Sequence, residues 1–149
     1  MPYTIYLKKN EEKRIIAGHP WVYANEVAKT EGKDRNGSLA TVRDFSGRFI
    51  GRGFINHLSK ILVRIISRND TEDIDREFFK NKILAAKAIK ELLGFSDSYR
   101  VVFSESDNLP GLIADKYGEV LCVQFLSLGM DLNKSLIADI LDEIFHPVC

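Results

Sequence analysis

No apolar run in this 149-residue chain approaches the ~18 to 20 residues that span a bilayer, and Met1 to Lys9 lacks the apolar core of a secretory leader. Neither a membrane partner nor export is expected, which leaves a cytoplasmic protein. Cysteine is nearly absent: Cys122 and Cys149 are the only two, they are too distant for a CxxC pair, and only His146 stands near either. That spacing offers no zinc site, so no metal is expected. Cys122 falls inside the apolar run Val120 to Leu126 and is expected to be a buried, inert thiol. His19, His57 and His146 are scattered and give no acid/base cluster. Gly51 and Gly53 lie inside a strand-like segment that no helix follows, so they cannot cradle a phosphate as a dinucleotide loop does. Ser104 and Ser106 lack the flanking glycines of a hydrolase elbow. There is no internal repeat and no low-complexity tract.

What is present is the composition of a soluble globular chain, 45% hydrophobic and 28% charged, long enough for one ordinary domain or two small ones. A formal net charge of zero conceals a division. Residues 1–68 carry 13 Lys or Arg against 6 Asp or Glu, and residues 69–149 carry 8 against 15. The halves are thus +7 and −7. Two domains with different partners are implied, and the basic half is the one a phosphate backbone would attract.

Thr4 to Lys8 alternates like a strand, and Lys8 to Lys13 reads as the start of a short helix with Asn10 as N-cap. Gly18 suits the left-handed position that ends such a helix; Pro20 then forces the chain to leave as an extended segment, Ala24 to Ala28, with Trp21 and Tyr23 held on a corner. Ser38 to Arg43, Arg48 to His57 and Lys60 to Ser67 are closely spaced strands, the first two joined by the turn Asp44-Phe45-Ser46-Gly47. So small an all-β unit covers its edges best by curling into a barrel, and Gly51 and Gly53 fit a bend or a close backbone approach. Alternation turns Gly51, Gly53, Ile55, Ile61, Val63 and Ile65 inward and places Arg52, Phe54 and Arg64 on one outer surface. Two readings stand open for the aromatic residues Trp21, Tyr23 and Phe54: closing the core, or stacking on an unpaired base. In the second, Lys8, Lys9, Lys13, Arg14, Arg48, Arg52 and Arg64 would meet phosphates, and His19 beside Trp21 would meet a phosphate or a base.

Asn69 to Asp75 is an acidic hinge that ends as the N-cap of a helix from about Arg76 to Leu93. Phe78, Ala85, Ala86, Ile89, Leu92 and Leu93 form its expected buried stripe, with Lys82 snorkelling. Strands follow at Tyr99 to Ser104, Leu112 to Asp115 and Glu119 to Leu126, two of them forming a hairpin. A last helix, about Asp131 to Phe145, should bury Leu132, Leu136, Ile137, Ile140, Leu141 and Ile144. Val148-Cys149 looks like the opening of one more strand. Glu105, Asp107 and Asp115 around Pro110 could form a metal or acid/base site, but turn carboxylates more often cap their own backbone.

Three blocks carry a resemblance. They are Lys13-Arg14-Ile15-Ile16-Ala17-Gly18-His19-Pro20-Trp21-Val22-Tyr23, then Gly47-Arg48-Phe49-Ile50-Gly51-Arg52-Gly53, and the long block around Pro110. The last runs from Tyr99-Arg100 through Glu105-Ser106-Asp107-Asn108-Leu109-Pro110-Gly111-Leu112 to Asp115-Lys116-Tyr117-Gly118. In this order they resemble the bacterial S-adenosylmethionine-dependent large-subunit rRNA 5-methylcytosine methyltransferases, over essentially the whole chain.

The resemblance implies an α+β architecture: a small PUA-like β-barrel that binds RNA (1–68), a linker (69–75) and a central α/β domain of helix, strands with a hairpin, and helix (76–149). It also implies a third, Rossmann-like domain with the cofactor site and the catalytic cysteine, to which nothing in this sequence corresponds. The chain is accordingly expected to be the N-terminal piece of a longer methyltransferase, inactive alone, with rRNA as partner and no cofactor of its own. S-adenosylmethionine belongs to the full-length family. The expected RNA-binding residues are Lys8, Lys9, Lys13, Arg14, His19, Trp21, Arg48, Arg52 and Arg64. The alternative is a structural module that forms a homodimer, or an RNA-binding adaptor without linked catalysis.

Overall fold

Alternating apolar and polar side chains along Tyr3–Leu7 put Ile5 and Leu7 at zero exposure and Thr4 and Tyr6 on the other face, the signature of a strand with one buried side. This is β1 of a computed structural model that describes residues 3–149. The chain divides into two units, Met1–Glu72 and Asp73–Cys149.

In the first unit β1 is followed by α1 (Glu12–Ile16), β2 (Trp21–Tyr23), β3 (Val27–Glu31), β4 (Leu39–Arg43), β5 (Phe49–Ile55) and β6 (Ile61–Ser67). The strands form one six-stranded sheet in the order β2-β6-β5-β4-β1-β3, with β1 and β4 parallel and the other pairs antiparallel. The two edge strands, β2 and β3, are consecutive in sequence and are joined only by the single turn Ala24–Glu26. Laid flat, six strands would part those edges by about 24 Å, whereas a link this short reaches only about 14 Å. The sheet therefore curls on itself. Irregular register at Val42/Arg43, Arg52/Gly53 and Val22/Tyr23 marks the bulges that bend it. Gly53 meets the crossing strand so closely that a Cβ would stand 2.0 Å from the Arg64 carbonyl oxygen. Only glycine fits. Inside the curl lie Ile5, Leu7, Val22, Val42, Ile55 and Val63, and α1 closes one end by contributing the fully buried Ile15.

Two local expectations need correction. Asn10 is not the N-cap of α1: it adopts φ 73°, and Glu11 takes the cap position without a side-chain bond. Asparagine tolerates the left-handed region, and here it turns the chain after Lys8, whose carbonyl accepts from Glu11 N at 3.1 Å. The segment Ala24 to Ala28 is not continuously extended either, because Glu26 draws Ala24–Glu26 into a 3-10 turn between β2 and β3.

The second unit comprises α2 (Arg76–Leu92), β7 (Ser98–Phe103), β8 (Leu112–Tyr117), β9 (Val120–Phe125), α3 (Leu128–Leu132) and α4 (Lys134–Phe145), with an antiparallel sheet in the order β7-β8-β9. Asp75 caps α2 by accepting from Phe78 N at 3.0 Å. The helix buries Phe78, Phe79, Ile83 and Ala86, while Ala85, Ile89, Leu92 and Leu93 of the expected stripe are exposed. The Phe79 and Ile83 side is heavier, and it is this side that packs on α4 and β7. The last helix is broken at Asn133, whose Nδ2 donates to Gly129 O at 2.7 Å, and this leaves Leu132 exposed.

Cys122 is exposed, contrary to expectation. β9 is an edge strand with alternate residues facing out, and Cys122 stands on the outer face with Val120 and Gln124. Val148 and Cys149 do behave like the start of a strand: Val148 N donates to Glu119 O at 2.9 Å, and Leu121 N donates to Cys149 O at 3.0 Å.

The block around Pro110 is a structural staple. Ser104 Oγ accepts from Gly111 N, Asp107 accepts from Phe103 N and from Lys90 of α2, and Leu109 is fully buried. Asp115 is engaged by Arg100 through two bonds of 2.7 and 3.0 Å. These carboxylates are each held by backbone or by a cation, and among the described residues no group of three or more metal-ligating side chains forms.

Candidate nucleic-acid interface

The corner around Trp21 is built by the end of α1. Gly18, at φ 114°, ends the helix by donating to Ile15 O at 3.0 Å. Pro20 then docks on β6 by accepting from Ile65 N at 2.7 Å. The chain continues as β2 with Val22 inward and Trp21 and Tyr23 half-buried on the outside.

One ion pair organises this corner. Arg14 Nη2 donates to Glu26 Oε1 at 2.6 Å and to the Trp21 carbonyl at 3.0 Å, and its guanidinium carbon lies 5.2 Å from the centre of the Tyr23 ring. Glu26, 7% exposed, also accepts from Tyr23 N at 2.8 Å, while its own carbonyl accepts from Lys8 N at 2.8 Å. The residue thus ties the ends of β1, α1 and β2 to the turn that leads into β3. His19 Nδ1 accepts from Arg14 and from Trp21 N, so in this arrangement its ring proton sits on Nε2. The His19 and Trp21 rings meet edge to face at 5.4 Å.

From Trp21 a row of side chains crosses the outer face of the sheet. Trp21 pairs with Arg64 on β6, Arg64 with Phe54 on β5, and Phe54 with Leu39 on β4. At the usual strand spacing Trp21 and Phe54 stand about 10 Å apart, with Arg64 between them. All three are half-buried. Among the described residues Arg64 forms no ion pair.

The other expected contact residues lie elsewhere. Lys9 and Lys13 are exposed around α1. Lys8 donates to Asn25 O at 2.7 Å. Arg48 Nε meets Asp44 at 3.1 Å, leaving the Arg48 side chain 66% exposed. The Asp44 carboxyl is held below its ordinary pKa first by the Ser46 hydroxyl, then by the backbone amides of Arg48 and Ser46 and the Arg48 charge. Arg14 and Arg52 both have partners within the first unit. Arg14 is engaged by Glu26, and Arg52 donates to the carbonyls of Asp70 and Glu72 at 3.0 and 2.9 Å. Arg52 therefore fastens the first half of the acidic hinge to the barrel instead of sharing an open surface with Arg64.

Two residues of the site escaped the sequence reading. Glu26 left one trace, being the only carboxylate between Glu12 and Glu31 in a basic stretch. Arg68, just after β6, donates to Ile15 O at 2.7 Å and His19 O at 3.2 Å, capping the end of α1; burial pushes its pKa down. No spacing rule points to it.

A six-stranded sheet curled around an apolar core, with one helix closing its end, defines the class of the first unit, and residues 5–68 match the PUA-like domain family. The whole chain is homologous to proteins named Ribosomal RNA large subunit methyltransferase I, at 39% identity over 153 residues in Shewanella amazonensis and 32% over 152 residues in Escherichia coli. It spans 38% of the length of each. Its fold matches SMU.776, a protein described as a methyltransferase and solved with SAH, at a TM-score of 0.80 and 14% identity, covering 98% of this chain and 38% of that one. A Streptococcus mutans protein described as SAM-dependent gives a TM-score of 0.79 at 14% identity, with the same coverage of both chains. No helix among the described residues is long and apolar enough to cross a membrane.

Removing Glu26 would strand the Tyr23 amide and the Arg14 guanidinium. Glu26→Ala is expected to lower stability by about 2–3 kcal/mol, and Arg14→Ala by a similar amount. The double variant should lose clearly less than the sum, as measured by urea denaturation; additive losses would show that the pair does not hold the corner.

Proposed function

We propose that the first unit binds rRNA for an S-adenosylmethionine-dependent methyltransferase that acts on cytosine C5, and that this chain positions RNA without performing chemistry. The observation that carries the reading is the row Trp21, Arg64, Phe54: a cation without an acidic partner among the described residues, flanked by two aromatic rings, on the outer face of a unit whose residues 1–68 carry +7. Such a surface offers a phosphate contact beside stacking faces that accept any unpaired base. Homology to proteins named as rRNA methyltransferases supports the choice of rRNA. Lys9 and Lys13 extend the positive surface around α1, and Arg14 and His19 act by fixing Trp21.

The test is binding of a large-subunit rRNA fragment over a range of salt concentrations. Arg64→Ala should weaken binding about tenfold and reduce the salt slope by about one. Trp21→Ala should cost about 1–3 kcal/mol with the slope preserved. Affinities and slopes equal to those of the unaltered chain would overturn the assignment.

A second reading, a homodimerisation module, has its own observation: Ile89 and Leu92 of α2 and Leu93 at its C-cap are 54, 88 and 69% exposed. Apolar side chains left open along one helix stripe favour self-association. Sedimentation should then show dimers that dissociate on dilution, and a monomer at every concentration would remove this reading.

A further inference from the structure

We infer that the groove between α1 and the β4–β5 turn takes one unpaired nucleotide of the bound RNA, its phosphate between Arg48 and Arg68 and its base against Ile16 and Phe49. The inference rests on the RNA-binding reading and adds a second contact site to it.

Arg68 carries the argument. Arg14, Arg52, Arg76 and Arg100 each have a carboxylate partner, in Glu26, Asp70, Glu143 and Asp115. Arg68 has two carbonyl oxygens, of Ile15 and His19, and among the described residues no ion pair. Arg68 is itself exposed, so a guanidinium with no counter-ion among the described residues stands open to an anion in the groove. Across the groove Arg48 uses only Nε on Asp44, so its two terminal amino groups are directed to no described residue. They form the fork that suits a phosphate. Lys13, one helical turn before Ile16, adds a further positive charge on that side of α1.

The floor decides the class of ligand. Ile16 is 53% exposed, and with the half-buried Phe49 and buried Ile50 it makes an apolar surface beside the two arginines. A free inorganic anion would leave that surface bare. A nucleotide covers it with the face of its base. The groove holds about 270 Å³, below the ~300 Å³ at which ordinary ligand pockets begin, so it suits one base and its phosphate. A base inside a duplex is stacked and paired, so the nucleotide must be unpaired. Arg68 also ends on the carbonyl of His19, whose ring holds the Trp21 amide, which joins the groove to the corner.

Arg68 caps α1, so the exposed positions Arg48 and Ile16 carry the test. The full 149-residue chain is titrated with a single-stranded oligoribonucleotide and with the same strand annealed to its complement. Arg48→Ala should weaken single-strand binding about 5- to 10-fold and lower the salt slope. Ile16→Ser should weaken it about threefold with the slope unchanged and leave duplex binding alone. Variants that bind the single strand as the unaltered chain does would overturn the groove and leave the RNA reading standing. An unaltered chain that binds neither RNA would overturn both.

Discussion

The two edges of the curled sheet, β2 and β3, are linked by a three-residue turn, and the Arg14–Glu26 ion pair lies at this seam. Burying a carboxylate there is favourable only because its acceptor capacity is used: Glu26 takes the Arg14 guanidinium and the Tyr23 amide together. The remaining Arg14 donors then reach the Trp21 carbonyl and the His19 ring. The link between the two sheet edges and the orientation of the one Trp are thus fixed by the same bonds. Arg14, expected from its charge to meet phosphate, spends its donors on Glu26 and the Trp21 carbonyl and so gives the corner a defined shape.

Acidic partners sort the basic residues into two kinds. Those paired with carboxylates build structure: Arg14 at the seam, Arg52 on the hinge, Arg100 on the outer face of the small sheet. Arg64 and Arg68 have no such partner among the described residues and keep their charge available to a polyanion. The +7 balance of residues 1–68 overstates the charge on this face, because Asp70, just beyond that range, pairs with Arg52 and part of the remainder is spread around α1. What distinguishes the outer face of β2, β6 and β5 is the company its cation keeps. On the proposed reading, aromatic rings on both sides would turn a general attraction for phosphate into a surface that also receives bases.

Much of this architecture was legible because strands with one buried face write a period of two into the sequence. Gly51, Gly53, Ile55, Val63 and Ile65 all point inward as alternation requires, and the close approach at Gly53 is the kind that a strand glycine announces. What alternation cannot carry is the identity of partners remote in sequence. Nothing near Arg14 indicates that Glu26 will absorb its charge, and nothing near Arg52 indicates that Asp70 and Glu72 will fold back onto it. The rotation of α2 was misread for a related reason: a stripe of Ala85, Ile89 and Leu92 is as periodic as the true one, and only α4 and β7 decide in favour of Phe79 and Ile83. Cys122 shows the same limit, since an apolar run in an edge strand still presents half its residues outward.

The central claim is that RNA meets the protein at the Trp21 corner. Because Trp21 is the only tryptophan, its emission reports that corner alone. Titration with a large-subunit rRNA fragment at two salt concentrations should quench this emission, with an apparent affinity that falls steeply as salt rises. RNA binding that leaves the emission of the folded protein unchanged would contradict the account and return Trp21 to a purely structural role.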